Sequence, residues 1–285
     1  LMSSVNTDTT ADKAFAALKK EVQNKVLKSN KNRGERGEVL TKAHLFYLDQ
    51  IEEYDKLVDI FGQDAEEGVT LVDMVKGTDI TDINHLAEKS PSGSKSDCRV
   101  RMNKNGTEYF VSIKSYAGGN PSILNQTKRN AIVFQEGGKL HDCLPALDTI
   151  ISEYNGKRMA GGTEEMTISE LESLAVPQTR ERFVDVLKYF TFNGTGKGYS
   201  RCQANAMMMI CRNGEIKFVR CVTDQEKRAY ILSIIDTAII SLVHHGMPRN
   251  PKKITECMMR WVFKDVKSDG TVKQKGCFHV RIPPH

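Results

Sequence analysis

A predicted β-hairpin limits the fold of this chain more than any other short stretch of the sequence. Asn105 and Gly106 lie between residues 99–102 and 108–114, two segments with the composition of β-strands. Both residues tolerate the positive φ angles of a type I′ turn, which joins hairpin strands through two residues. The sequence therefore predicts two antiparallel strands joined at Asn105-Gly106.

The type I′ turn also sets which residues of the two strands face each other. With this turn, Asp97 lies directly opposite Lys114, and Arg99 lies opposite Ser112. Opposed residues of antiparallel strands have Cβ atoms about 4.5–5.5 Å apart, so an acid–lysine pair across the hairpin is predicted. Strand alternation puts Tyr109, Val111 and Ile113 on the apolar face of the second strand. The opposite face carries Glu108, Phe110, Ser112 and Lys114.

Composition indicates a globular protein with a mildly basic character. Hydrophobic residues form 39% of the 285 residues, which supports a buried core, and the net charge is +5. This charge permits a polyanionic partner without requiring one. The seven cysteines have no zinc-ligand spacing, and with the polar start of the sequence they predict reduced thiols and a cytoplasmic location.

The most apolar stretch, residues 230–243, is shorter than a membrane span and contains Asp236. We therefore expect a buried helix and no membrane partner. His244 and His245 would close this helix, where a cation interacts favourably with the helix dipole.

Helical and strand patterns alternate along the rest of the chain. Helices are expected at 9–29, 35–62, 140–155, 177–191 and 224–245, with short helical pieces in 66–88 and a helix that begins at Ser122. A flexible loop is expected at 193–198, a second Asn-Gly hairpin at 206–222 with Met207–Met209 in the core, and a strand, turn and strand at about 254–285. These elements predict an α/β (α+β) fold, with a mixed central sheet flanked by helices and a C-terminal helix and β-hairpin added.

An aspartate and a lysine on adjacent strands suit metal-assisted hydrolysis of a phosphodiester. Carboxylates hold Mg²⁺, which prefers oxygen ligands, and a lysine offsets the charge of the phosphate that is attacked. An exposed cross-strand ion pair between Asp97 and Lys114 would explain the same two residues without chemistry. The serine- and glycine-rich loops that flank both residues favour the first interpretation.

Residues 94–97 (S-K-S-D) followed by residues 112–114 (S-I-K) resemble the core motif of the PD-(D/E)xK nuclease superfamily, which includes most type II restriction endonucleases. Residues 33–50 resemble the leading helix of these enzymes, and residues 119–127 resemble the segment that follows the core. The resemblance covers about residues 33–135. It implies a restriction-endonuclease-like core in which Asp97 and Lys114 are catalytic, with Mg²⁺ held by Asp97 and Glu38.

Two positions depart from the superfamily motif. Ser96 stands where the motif has proline, and Ser112 stands where the second acid of the motif is expected. Ser112 is therefore a candidate catalytic position with a hydroxyl in place of a carboxylate. Glu38 or Glu108 could supply the second acid, or the site could bind one metal weakly or none. Glu35 is the second match, after Glu38, for the glutamate of the leading helix.

Further polar residues are candidates for contacts with DNA. Arg reads guanine and Asn or Gln reads adenine in the major groove, whereas Lys and Ser suit phosphates. An ordinary polar helix face would explain the group at 125–129 equally well. The candidates are Lys95, Ser96, Asn125, Gln126, Lys128, Arg129, Lys197, Arg201 and Gln203.

The leading interpretation is a Mg²⁺-dependent, sequence-specific endodeoxyribonuclease of the type II restriction class. Residues 1–160 would form the N-terminal helices and catalytic core, and residues 161–285 would serve DNA recognition or dimerisation. The expected partners are double-stranded DNA, a second copy of the chain and a cognate methyltransferase that protects host DNA. The alternatives are a DNA-binding protein of the same fold with weak or no catalysis, and a repair or viral nuclease without a fixed site.

Overall fold

The computed structural model describes residues 33–88, 90–116, 121–128, 130–149, 165–167, 178–211, 213–235, 239–244, 258–263 and 277–281. The helices of this part of the chain are α1 (Arg33–Gln50), α2 (Tyr54–Phe61), α3 (Thr179–Lys188) and α4 (Asp224–Ile235). The strands are β1 (Val69–Val72), β2 (Cys98–Met102), β3 (Glu108–Ser115), β4 (Ser122–Lys128), β5 (Glu165–Thr167), β6 (Gly194–Thr195), β7 (Gly198–Tyr199), β8 (Ala206–Ile210), β9 (Ile216–Arg220), β10 (Ile239–His244), β11 (Met258–Phe263) and β12 (Cys277–Arg281).

Internal contacts divide the described residues into two compact units, each made of separated segments. The first unit contains the described residues up to Pro121 together with Arg201–Val222. The second unit contains those within Ser122–Ser200 and Thr223–Pro283. The assignment of catalysis to residues 1–160 and of DNA recognition to residues 161–285 stays a prediction.

The first unit is built on a five-stranded mixed sheet with the order β1-β2-β3-β8-β9. Strands β3 and β8 are parallel, and the other neighbours are antiparallel. Helix α1 packs against β1 and β3, and its buried residues Leu40, Ala43 and Leu45 join the core of the sheet. The predicted mixed α/β class is therefore confirmed at this level.

The first Asn-Gly hairpin is present, and its apolar face is the predicted one. Tyr109, Val111 and Ile113 all lie in the hydrophobic core of the first unit. The turn is longer than the predicted one, because Gly106 donates its N–H to Met102 O at 2.9 Å across a four-residue loop. Of the loop residues, only Gly106 has a positive φ, 70°, so the loop is not a type I′ turn.

This loop changes the register of the hairpin by two residues. Arg99 lies opposite Phe110 and Cys98 lies opposite Val111, so the predicted pairing of Arg99 with Ser112 is wrong. The predicted direct opposition of Asp97 and Lys114 is wrong for the same reason. A shift of two residues keeps each side chain on its face, because strand alternation has a period of two.

The second predicted hairpin is confirmed as β8 and β9, which are antiparallel and turn near Gly214. Met207, Met208 and Met209 are buried, as expected for core residues. Residues 66–88, in contrast, are not only helical: they contain β1, and the helical part is a 3₁₀ turn at Ile83–Ala87. The long helix predicted at 35–62 is interrupted after Gln50, where Glu52 has a φ of 59°.

The second unit has its own five-stranded mixed sheet, with the order β4-β12-β11-β10-β5. Strands β10 and β11 are parallel, and the remaining neighbours are antiparallel. The strands predicted in the C-terminal tail are confirmed as β11 and β12. The turn predicted between them and the helix predicted at 9–29 lie outside the described residues.

Three predicted elements of the second unit are wrong. The helix expected from Ser122 is strand β4, because residues 122–128 pair with β12. The helix expected at 224–245 ends at Ile235, and His244 ends β10 rather than a helix. The loop expected at 193–198 is the short hairpin of β6 and β7. Helices predicted at 140–155 and 177–191 are confirmed within the described residues, at 144–149 and as α3.

In the described part of the chain, no helix is both long and apolar enough to cross a membrane.

Candidate active site

Asp97 lies immediately before β2, where backbone and side-chain groups of β3 hold its carboxylate. The N–H of Asp97 donates to Val111 O at 2.7 Å, next to the pairing of Cys98 with Val111. The N–H of Ile113 donates to Asp97 Oδ2 at 2.7 Å, and Ser112 Oγ lies 3.4 Å from the same oxygen. Oδ1 of Asp97 has no such bond to β3, so the carboxylate is oriented and keeps one oxygen for another partner.

Glu38 lies on α1, near Asp97. The pKa of Glu38 is raised from 4.5 to about 7, mainly by burial and also by the negative charge of Asp97, against the opposing effect of Lys114 and Lys42. These effects require the two carboxyls and the two lysines to lie close together. Glu38, Asp97 and Lys114 are therefore close enough to interact, although the predicted register is wrong; that they form one catalytic site stays a prediction.

Two further lysines belong to this cluster. Lys95 precedes Asp97 by two residues, and its pKa is lowered to about 8, mainly by burial and also by Lys114, against the opposing effect of Asp97. Lys42 lies one helical turn after Glu38 on α1, and its side chain is 92% buried, since only 8% is exposed. Its Nζ donates to Glu88 O at 3.3 Å. We refer to Glu38, Lys42, Lys95, Asp97 and Lys114 as the acid–lysine cluster.

Lys42 is the member of the acid–lysine cluster that the sequence analysis missed. Its position could have been predicted from the sequence, because a residue four positions after Glu38 lies on the same face of a helix. The pattern was concealed by the apolar residues around it, because Val39, Leu40 and Ala43 mark this face as core.

Ser112 and Ser96 are both buried. Ser112 is 2% exposed, and its hydroxyl, which stands where the resemblance leads us to expect a second acid, lies beside Asp97. Ser96 is fully buried, and its Oγ donates to Cys202 O at 3.1 Å. Its side chain therefore anchors the loop before β2 and presents no surface to DNA.

Glu108, a candidate for the second acid, forms an ion pair with Arg99 instead. Arg99 contacts Glu108 Oε2 through Nε at 2.8 Å and through a terminal nitrogen at 2.5 Å. This two-point contact neutralises the carboxylate within the hairpin. Glu38 is thus the acid that accompanies Asp97 in the cluster.

The donor set of the cluster fits Mg²⁺ bound through two carboxylates. Within the described ranges, no group of three or more His, Cys, Asp or Glu side chains could hold a metal ion. Mg²⁺ is commonly bound by only one or two carboxylates together with water and substrate phosphate. The raised pKa of Glu38 beside Asp97 agrees with this mode, because a cation between the two acids would relieve their repulsion.

The remaining DNA-binding candidates are distributed over both units. Arg201 and Gln203 are exposed in the first unit, just before β8. Lys197 lies in the turn between β6 and β7 of the second unit, and Asn125, Gln126 and Lys128 lie on β4, whose side chains are outside the described set. Arg129 also lies outside the described residues. Contacts of these residues with DNA stay a prediction.

Comparison with known proteins gives no family assignment: no family model, no curated protein and no solved structure matches the chain.

Proposed function

We propose that the chain is a Mg²⁺-dependent endodeoxyribonuclease that hydrolyses DNA phosphodiester bonds at the acid–lysine cluster. The observation that carries this proposal is the proximity of two acids, Glu38 and Asp97, to Lys114 at one end of the β2–β3 hairpin. Among the residues that the structure describes, none of these three forms an ion pair within 4 Å. Charges that are brought together without mutual pairing are typical of functional sites.

In this proposal each residue has a distinct role. Asp97 and Glu38 would hold the metal ion, which when bound polarises the phosphate and lowers the pKa of a water. Lys114 would offset the negative charge that develops on the phosphate. Lys95, whose pKa is lowered to about 8, could exchange a proton near neutral pH because its charged form is destabilised by burial.

The resemblance to type II restriction endonucleases supports a narrower form of the proposal. In that form the enzyme cuts double-stranded DNA at a fixed site, acts as a homodimer on a palindrome and is accompanied by a cognate methyltransferase. The mixed sheet preceded by a helix that carries Glu38 is compatible with this class. Exposed Arg201 and Gln203 would contact the duplex, and salt should then weaken DNA binding steeply.

A second candidate function is DNA binding with weak or no catalysis. Two observations favour it: Ser112 occupies the position of the second acid, and the described residues hold no set of three metal-ligating side chains. A hydroxyl is a poor substitute for a carboxylate on Mg²⁺. This candidate predicts DNA affinity that does not depend on Asp97 or on a divalent ion.

The deciding experiment incubates unmethylated phage-sized DNA with the protein and Mg²⁺, beside Asp97→Ala and Lys114→Ala. Discrete fragments from the wild type alone would support the site-specific nuclease. A smear from the wild type alone would support nuclease chemistry without a fixed site. Intact DNA that shifts on a gel, with no heat of Mn²⁺ or Ca²⁺ binding that depends on Asp97, would support the binding protein instead.

A further inference from the structure

A cavity of about 250 Å³ lies beside Asp97 in the first unit. Its wall includes Asp97 itself, Cys98 and Arg99 from the start of β2, and residues of β1 and of the segment that follows it. Lys42 of the acid–lysine cluster also lines the cavity. A group that enters the cavity would therefore lie next to the atoms that the proposed reaction requires.

The cavity is lined by both apolar and charged residues. The apolar surface comes from Leu71, Val72, Met74 and Leu86. All of these except Met74 are buried side chains of the core. The charged lining is mixed: Lys42, Lys76 and Arg99 are basic, and Asp73, Glu88 and Asp97 are acidic. Apolar lining with a small number of polar groups is typical of pockets that bind small ligands.

Arg99 is fixed in place in a way that suits a binding wall. Glu108 holds its guanidinium at two nitrogens, and the guanidinium lies 5.1 Å from the centre of the Phe110 ring. Gly77 approaches the same guanidinium so closely that a Cβ there would lie 3.2 Å from it. Lys42 is fixed by the carbonyl of Glu88. Of the three basic residues that line the cavity, Lys42 and Arg99 are thus held in place by contacts within the protein.

We propose that this cavity binds the base of a single unstacked nucleotide next to the phosphate that is cut. The proposal rests on the nuclease function proposed above, and it identifies the substrate as DNA in which that base is unpaired or has been extruded from the duplex. The volume favours one base, since it lies just below the range of about 300–1,000 Å³ found for pockets of drug-sized ligands. A base that remains paired and stacked in a duplex cannot enter such a cavity.

The expected substrate preference follows from the cost of unstacking. A mismatched or already single-stranded base is the least costly to extrude, so DNA with an unpaired nucleotide at the cut should react faster than fully paired DNA of the same sequence. We expect DNA with the unpaired nucleotide to be cleaved about tenfold faster or more. In fully paired DNA, binding must supply the free energy of unpairing and unstacking the base. The preference should depend on the free volume of the cavity.

The test places 2-aminopurine, a fluorescent base that stacking quenches, at successive positions around the cut in matched duplex and mismatched DNA. Binding is measured with the full chain in Ca²⁺, and cleavage rates are measured in Mg²⁺. Met74→Trp should fill the cavity, because Met74 lines it and is partly exposed. Thr81→Trp introduces the same side chain into a separate cavity of the first unit, so it serves as the matched control.

The proposal expects a fluorescence increase at one position for the wild type and Thr81→Trp, and its loss in Met74→Trp together with the mismatch preference. Cleavage that depends on Asp97, with no fluorescence increase at any position and equal rates on both DNAs, would overturn the base-binding cavity and leave the nuclease proposal intact. A fluorescence increase that Met74→Trp removes, without any cleavage, would support the cavity and overturn the nuclease proposal. Circular dichroism checks each fold, and Met74→Phe replaces Met74→Trp if the latter does not fold.

Discussion

The β2–β3 hairpin carries charged residues at both of its ends, and the two ends differ in whether these residues form ion pairs. At the end near the loop, Arg101 contacts Asp79 at 2.7 Å and Lys104 contacts Glu66 at 3.0 Å. Each charge there is matched to one opposite charge. At the other end, Asp97 is held by backbone and hydroxyl donors of β3 and has no ion pair within the described ranges of the chain.

The difference concerns how far the charges at each end are neutralised by ion pairs. An exposed ion pair between two residues contributes little to the stability of the fold, typically below about 1 kcal/mol. In the acid–lysine cluster, the pKa of Glu38 is raised, mainly by burial and also by the charge of Asp97. Under the proposed function, a cation bound between the two acids would offset this cost, which the paired end does not carry.

The largest expected effect comes from the same substitution made at each end. Asp97→Asn keeps the size of the side chain and an oxygen that accepts from Ile113 N, but it removes the charge. We expect cleavage to fall by at least about 100-fold, because the variant loses a charge that acts on the metal and the reacting phosphate. Rates are measured on one labelled duplex under single-turnover conditions.

Asp79→Asn is the matched control, since Asp79 is paired with Arg101 at the other end. Its cleavage rate should stay within about twofold of the wild type, because exposed pairs contribute little. Equal losses in Asp97→Asn and Asp79→Asn would contradict the distinction between the two ends.

A smaller effect is expected when one lysine at each end loses its charge. Lys114→Met should slow cleavage by about 10–100-fold while metal binding is retained, because this lysine acts on the phosphate rather than on the ion. Lys104→Met removes only the contact with Glu66 and should leave the rate unchanged. Ca²⁺ titration calorimetry separates the two roles, and a loss of Ca²⁺ binding in Lys114→Met would argue against the assignment.

Stability should respond in opposite directions when a glutamate at each end is neutralised. The pKa of Glu38 is about 7 in the folded protein and 4.5 as its ordinary value. The folded state therefore binds the proton more tightly, and stability falls as pH rises from about 4.5 to about 7. In metal-free protein at pH 8, Glu38→Gln should be more stable than the wild type by about 1–3 kcal/mol, an upper range set by the shift of the pKa.

Glu108→Gln is the counterpart, because Glu108 is already paired with Arg99. This variant should be less stable by about 1 kcal/mol at the same pH, since it loses a charge-assisted contact. Urea unfolding in EDTA from pH 4.5 to 8.5 measures both variants. If Glu38→Gln showed no gain at pH 8 over its value at pH 4.5, the burial of an ionised Glu38 would be wrong.

The sequence predicts that Asp97 and Lys114 lie close together, and the resemblance adds Glu38 to them. The three side chains do interact electrostatically, whereas their role in a site stays a prediction and the predicted register is wrong. The register was missed because the side chain of Asn105 accepts from Thr107 N at 2.9 Å, so the loop uses local side-chain bonding instead of a type I′ turn. Local sequence does not determine which of these two turns forms.

The errors in the fold arise where distant segments decide the structure. Residues 122–128 form a strand because they pair with β12, more than 140 positions later in the chain, by the register Phe278 to Thr127. Residues 239–244 form a strand because β11 and β5 lie on either side of them. Short apolar runs are ambiguous between helix and strand, and only such pairing resolves them.

The smallest expected effect would sharpen the comparison by measuring the paired end directly. Arg101 and Asp79 are both partly exposed, with side-chain exposures of 30% and 47%. A double-mutant cycle with Arg101→Met and Asp79→Asn should give a coupling free energy below about 1 kcal/mol that decreases with added salt. A coupling free energy of several kcal/mol would mean that the ion pair at this end interacts strongly. The charges at the two ends of the hairpin would then no longer differ in the way that distinguishes the acid–lysine cluster.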